Sequence, residues 1–343
     1  MRMASLGTQK MHDESSADAI VAMAYDFRRA KVLMAAVELD VFTILGDGAL
    51  DSHTLIARIG IAERGAHDFL DALVALQLLH RDCDGRYSNT VAAALYLDRR
   101  QSGYVGGMVV HLDQREYPRW QSLTAALRSG RPQADTQTLS STEFFADEQQ
   151  LETFAGGMSG GSFPAAQAIA RKFPWREFTT VVDVGTSEGC LLVQLAHPHI
   201  RGWGFDRPQY KPIFDRYVAK YELADRLSFR GGDFFTDPLP GASVLVMGRI
   251  LNNWDLVTKQ MLVAKAHAAL APGGALIVYE RFIDNARRTH SAGLLSSLNM
   301  LLMTEGGFDF TAEDCMQWMD EAGFRECRLE PLTADIGMLV ATK

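Results

Sequence analysis

The stretch Thr179-Thr180-Val181-Val182-Asp183-Val184-Gly185-Thr186-Ser187-Glu188-Gly189 limits what this chain can fold into more than any other. β-Favouring residues run into an acidic one. Glycines spaced Gly-x-x-x-Gly follow, and then the apolar run Leu191-Leu192-Val193-Gln194-Leu195-Ala196. The pattern predicts a buried strand, a tight turn and a helix. Glycine lets backbone approach a ligand closely, and a helix start presents free N–H groups. Two readings stand side by side: a nucleotide-like ligand site, or a purely structural strand-to-helix turn.

From residue 178 onward strands and helices alternate. Strands are expected at 179–184, 202–205, 226–229, 243–247 and 275–279, with helices between them. Thr311 opens a capped helix that reaches Ala322, and 327–332 with 337–341 form a closing antiparallel hairpin. Such alternation implies an α/β fold with a doubly wound, Rossmann-like parallel sheet, whose ligands lie at the carboxyl ends of the strands. Asp183, Asp206, Asp233 and Glu280 all fall at or just past strand ends. That shared placement says more than any one of them.

The N-terminal part reads differently. Residues 1–18 are expected to be a disordered leader. Residues 19–45 carry apolar positions at three- and four-residue steps, a helix pattern. Asp51-Ser52 caps a short second helix, a third spans 64–78, and 79–88 reads as a hairpin with Asp84-Gly85 in its turn. This winged-helix outline serves either DNA binding or packing and dimerisation. The formal net charge of −8 favours the second, because phosphate binding needs a basic face. The apolar 32–37 run exceeds what one small domain needs to bury, which points to a partner subunit. Residues 90–175 are mainly helical and rich in aromatics, among them Trp120, Phe144, Phe145, Phe154 and Phe173. The glycine-dense Gly156-Gly157-Met158-Ser159-Gly160-Gly161-Ser162 reads as flexible. The expected division is a leader at 1–18, a winged-helix-like helical dimerisation domain at 19–100, a helical connector with substrate-pocket residues at 101–177, and a ligand-binding sheet domain at 178–343.

Asp206 lies about twenty residues past the glycine turn, where a carboxylate suits a ribose diol. The dinucleotide fingerprint, however, wants a second glycine where Ser187 stands, and Glu188 beside it opposes pyrophosphate. An acidic residue there is harmless to a ligand carrying an ammonium and a sulfonium. Several further motifs then agree: Asp-Val-Gly-x-x-x-Gly at 183–189, Gly-Phe-Asp-x-Pro at 204–208, Gly-Asp-Phe-Phe at 232–235, Asn-Trp-Asp at 253–255, Ala-Leu-x-Pro-Gly-Gly at 269–274 and Glu-Ala-Gly-Phe at 321–324. With these, the chain resembles the S-adenosylmethionine-dependent small-molecule O-methyltransferases, the plant caffeate type and its bacterial natural-product relatives. The resemblance covers nearly the whole chain and implies a homodimer built through the N-terminal domain. It implies that Gly185 approaches the methionyl part of S-adenosylmethionine and that Asp206 binds the ribose. Asp233 and Phe234 would flank the adenine, and Gly248 and Arg249 would stand beside the sulfonium. Ser162 would meet the cofactor carboxylate, and Met158 and Trp254 the substrate.

One departure matters. The family's His-Asp-Trp triplet, whose His takes the acceptor's proton, reads Asn252-Asn253-Trp254 here. An amide has no titratable proton near neutrality and cannot be a general base. The acids that would orient that base keep counterparts in Glu280 and Asp309. General-base help is worth roughly 10²–10⁴ in rate, whereas alignment is worth on the order of 7–11 kcal/mol. Methyl transfer therefore survives the loss, with acceptors that arrive nucleophilic. His111 is the candidate for a substitute base. The alternatives are a cofactor-binding enzyme of cyclisation, decarboxylation or hydroxylation, and a non-catalytic binding protein. Cys83, Cys190, Cys315 and Cys327 show no C-x-x-C spacing, and the histidines show no metal-ligand spacing. No secretory signal, membrane span, metal or nucleic-acid partner is expected. The cytoplasm is the expected location and a small molecule the expected substrate.

Overall fold

The computed structural model describes residues 16–133 and 147–343, apart from Ala196. The chain divides into two compact units, one ending at Tyr104 and one beginning at Val105. The first opens with α1 (Ala17–Glu38), whose Ser16 cap accepts the Ala19 N–H at 3.1 Å. The continuous helix expected over 19–45 is broken. Asp40 sits in the left-handed region (φ 56°), and α2 (Val41–Ile44) sets off in a new direction. Aspartate tolerates that conformation better than most residues, and the break delivers Val41 and Phe42 fully into the core. Of the expected leader, residues 1–15 lie outside the described residues, and 17–18 already belong to α1. Next come α3 (Ser52–Ile59), capped by Asp51 and ended by Gly60, and α4 (Ala66–Ala75). The antiparallel pair β1 (Leu79–Arg81) and β2 (Tyr87–Asn89) and then α5 (Val91–Tyr96) complete the unit. Along α1, Ile20, Met23 and Phe27 are 67%, 73% and 52% exposed.

The second unit begins with α6 (Gly106–His111), a π-helical turn over 112–116, α7 (Tyr117–Trp120), α8 (Leu123–Ser129) and the long α9 (Glu148–Lys172). The glycine stretch expected to be flexible lies inside α9 and is a packing seam. A Cβ on Gly107 would stand 3.0 Å from the Gly156 carbonyl oxygen. One on Gly157 would stand 3.1 Å from the Gly107 carbonyl oxygen, and one on Gly160 3.1 Å from the Val105 Cα. Two helices meet backbone to backbone here, which only glycine allows. Phe144 and Phe145 lie outside the described residues. Phe173 is core, and Trp120 and Phe154 line a cavity.

The sheet follows: β3 (Thr180–Val184), β4 (Arg201–Asp206), β5 (Leu227–Gly231), β6 (Ala242–Gly248), β7 (Leu270–Glu280), β8 (Arg325–Pro331) and β9 (Gly337–Thr342). Among the described residues the order is β5-β4-β3-β6-β7-β9-β8. The first five run parallel, and β9 is antiparallel to both its neighbours. Alternation along the strands loads both faces. Val181, Val244, Val246, Ile277 and Val340 face one apolar cluster, shared with α9, α10 (Cys190–Gln194) and α11 (Lys211–Lys220). Val182, Val184, Leu245, Met247, Leu276 and Leu339 face the other, shared with α12 (Leu256–Ala269) and α14 (Ala312–Glu321). Helix α13 (Ser291–Met303) precedes α14. Because β3 has β4 on one side and β6 on the other, the chain switches direction across the sheet there. A crevice opens at the carboxyl ends.

Candidate active site

The turn after β3 alternates left-handed residues: Gly185 (φ 75°), Ser187 (φ 53°) and Gly189 (φ 93°). Only Ser187 is strained by this. Its backbone N–H is compensated by a 2.9 Å bond to the Asp206 carboxylate. That carboxylate also accepts the Arg207 N–H at 2.7 Å, so the ends of β3 and β4 are tied through one side chain. Burial pushes Asp206 up to about 6, although both N–H bonds act against it. At Gly189 a Cβ would strike the Phe214 ring at 2.7 Å, so close packing as well as φ requires glycine. Asp183, buried at the end of β3, accepts the Thr186 hydroxyl at 2.9 Å, and burial pushes it up to about 7.

Past β5, Asp233 uses its carboxylate locally. It accepts the Phe235 N–H at 2.9 Å and faces Arg207 at 3.4 Å. The turn it shapes presents Phe234 and Phe235 edge-on to Trp254, with centroids 5.8 and 4.8 Å away. At the end of β6, the space a Cβ would take at Gly248 belongs to the Tyr279 ring, so this glycine makes room for Tyr279. Arg249 is left-handed (φ 54°), and the buried Nε and Nη1 of its guanidinium have no acceptor among the described residues. Gly161 of α9 packs against it: a Cβ there would stand 3.0 Å from Nη1.

Asn252 follows in a buried 3₁₀ turn. Its N–H and that of Leu251 donate to Glu280 Oε1 at 3.4 and 3.1 Å. Among the described residues, Asn252 Oδ1 and Glu280 Oε2 lack hydrogen-bond partners. Burial, and then the Asp309 charge, push Glu280 up to about 8; burial pushes Asp309 up to about 6. The π turn after α6 places the Glu116 carboxylate 3.5 Å from Nε2 of the buried His111.

A cavity of about 660 Å³ brings most of the expected residues together: Gly185, Asp206, Asp233, Phe234, Gly248, Arg249, Ser162, Met158, Trp254, Asn252 and His111 all line it. Glu280 and Asp309 do not; they stand behind Asn252. Asp183, singled out at a strand end but given no role, lines the cavity as well, and further lining residues escaped the sequence reading. Tyr279 and Thr186 sit beside motif residues. Trp120 was among the aromatics of 90–175 that the sequence singled out, but its 3.0 Å indole-to-amide bond to Asn299, across 179 positions, had no signal. The cavity thus offers a carboxylate for a hydroxyl pair, an aromatic wall for a flat ring and unpaired guanidinium nitrogens for an anion.

Known proteins resemble this chain over most of its length. The O-methyltransferase domain profile matches residues 120–325, and the O-methyltransferase dimerisation domain profile matches 21–99. The tetracenomycin polyketide synthesis 8-O-methyl transferase TcmO of Streptomyces glaucescens is 40% identical over 329 residues, 94% of this chain and 96% of its own. The N,N-dimethyltransferase OxyT of Streptomyces rimosus is 34% identical over 337 residues, 96% of this chain and 97% of its own. Human N-acetylserotonin methyltransferase, solved in complex with SAM, superposes with a TM-score of 0.88 at 26% identity and covers 99% of both chains.

Proposed function

Because the chain belongs to the S-adenosylmethionine-dependent O-methyltransferase family, we propose that this enzyme methylates an oxygen of an aromatic, polyketide-type intermediate. The observation that carries the reading is the single cavity uniting the glycine turn, Asp206, Arg249 and Asn252. The residues fit the cofactor. Asp206 keeps lone pairs for a ribose diol, Phe234 offers an adenine-sized face, and the unpartnered Arg249 nitrogens suit its carboxylate. When bound, S-adenosylmethionine supplies a sulfonium methyl group that is already strongly electrophilic.

In this reading the protein's own contribution is alignment. Ser162 joins Arg249 at the carboxylate, and Gly185 and Gly248 keep the backbone close. Asp233 shapes the turn that presents Phe234. Met158 and Trp254 hold the acceptor ring. The Asn252 amide orients the acceptor oxygen without taking its proton, so the acceptor arrives as an acidic phenol or its anion. Glu280 positions the Asn252 turn through two backbone N–H groups, with Asp309 beside it. His111, 3.5 Å from Glu116, lines the same cavity and stands in this reading as the candidate substitute base. We further read the enzyme as a cytoplasmic homodimer, supported by the dimerisation-domain match and by four unpaired cysteines.

Calorimetry with S-adenosylmethionine tests the cofactor site. Asp206→Ala should weaken binding by about tenfold to hundredfold, the worth of charge-assisted hydrogen bonds. Formation of S-adenosylhomocysteine with hydroxyanthraquinone acceptors tests the reaction. Well-folded protein that binds no cofactor at millimolar concentration would sink the proposal.

A further inference from the structure

Helix α12 turns one face to the core, with Lys259, Leu262, Val263 and Ala266 spaced three and four apart. Three are apolar, and the fourth is a lysine with 0% exposure. An apolar side chain of similar volume is often as stable in such a place, or more so, because burying an ammonium costs several kcal/mol. The surroundings of Lys259 are specific. Its Nζ donates to the Trp254 carbonyl oxygen. It stands 3.3 Å from the centroid of the Phe308 ring and 5.5 Å from that of Phe310. Phe308-Asp309-Phe310 therefore wraps the ammonium with two rings and brings the Asp309 charge beside it. Glu280, from the end of β7, attracts it from the sheet side.

We propose that Lys259 is a positioning residue for methyl transfer. It pins the Trp254 carbonyl, and so the Asn252–Trp254 turn, against the cavity, and its charge stands beside Asp309 behind Asn252. This rests on the methyltransferase reading above. Lys259 does not line the cavity and acts only through the turn. Every link is short: Lys259 holds Trp254, Glu280 holds the Leu251 and Asn252 N–H groups, and both hold one 3₁₀ turn from behind. The titratable groups facing Lys259 are Glu280 from β7, Asp309 ahead of α14, Cys315 on α14 and Asp255 at the start of α12. Arg249 and Arg281 act on the same two acids. Burial lowers Lys259 to about 8, and the carboxylates oppose that shift. The protonated, ring-bound form therefore prevails below that value.

Lys259→Met keeps length and volume and removes the charge. Amide hydrogen exchange should quicken over residues 251–255 and stay unchanged in β3 and β4. The affinity for S-adenosylmethionine should hold, because its expected contacts come from other strands. With a hydroxyanthraquinone acceptor, kcat should fall about tenfold to hundredfold, the cost of a misplaced reactive geometry, while the KM for the cofactor stays put. Unchanged exchange over 251–255, or an unchanged kcat, overturns the role. Phe308→Leu, which strips one ring from the ammonium, should show the same exchange and kcat changes in weaker form. It decides the question if Lys259→Met does not fold. Wild-type protein that binds cofactor but releases no S-adenosylhomocysteine overturns the methyltransferase reading, and this role with it. A wild-type enzyme that turns over with an indifferent Lys259→Met overturns the role of Lys259 alone.

Discussion

Asp206, Asp183 and Glu280 stand at the carboxyl ends of β4, β3 and β7 yet meet different surroundings. The first is held by two backbone N–H groups, the second by one threonine hydroxyl, and the third keeps one oxygen unpartnered beside Asp309. The sequence could place all three at strand ends, because strand pattern and residue type are local. It could not reveal that Glu280 retains its proton up to about 8, since that depends on complete burial and on a carboxylate 29 positions away. The sign of the consequence follows. Between its ordinary value of 4.5 and about 8, the native state binds more protons at Glu280 than the unfolded chain does. Stability from this group is therefore present at low pH and lost as pH rises through that window. Glu280→Gln keeps the acceptor for Leu251 and Asn252 but removes the titration. Denaturant midpoints measured at about pH 5 and about pH 9 should lie closer together in the variant than in the wild type. Equal pH slopes in the two proteins would show that Glu280 titrates normally. Arg249 teaches the converse. Nothing in its neighbours forecast a left-handed backbone or a guanidinium with unused nitrogens, because both arise from the turn that β6 and β7 impose.

Among the elements, α9 departs furthest from expectation. Its glycines read as flexible because glycine is a poor helix former. The fold uses them as the seam onto which α6 closes, and this seam sets Met108 and His111 against the cavity wall. The four glycines are not equivalent, which makes the point testable. A Cβ at Gly156 meets nothing within 4 Å among the described residues, so Gly156→Ala should stabilise by up to about 1 kcal/mol through helix propensity alone. At Gly160 the neighbour is the Val105 backbone, so Gly160→Val should destabilise by about 1–3 kcal/mol. Thermal unfolding should rank the proteins in that order, and a stabilised Gly160→Val would remove the seam from the account. Helix α1 carries the complementary lesson. Its apolar spacing was legible, but its stop at Leu39 was not. Asp40 ends it because Val41 and Phe42 gain more by turning into the core than by extending the helix.

For the whole molecule, the exposed Ile20, Met23 and Phe27 on α1 form an apolar stripe, and Met23 and Phe27 lie within the region matched by the dimerisation-domain profile. If that stripe is the subunit contact, Met23→Glu with Phe27→Glu should convert a dimer to a monomer in sedimentation velocity. A double variant that stays dimeric would move the interface elsewhere. The sheet was readable in its elements, their sequence along the chain and even the closing hairpin. Hydrophobic period, turn residues and acidic strand ends are all local signals. The glycine turn and Asp206 were readable too, being short motifs with a chemical reason. By itself the sequence determined an α/β domain with a cofactor-type turn and an Asn where a base was expected. Only the tertiary structure decided which side chains share one cavity, that Trp120 meets Asn299, that Gly248 yields its space to Tyr279, and that a lysine stands buried beneath the Asn252 turn. The reason is physical. Burial and pairing between residues far apart in the chain come into being only when strands and helices pack, and no local pattern encodes them.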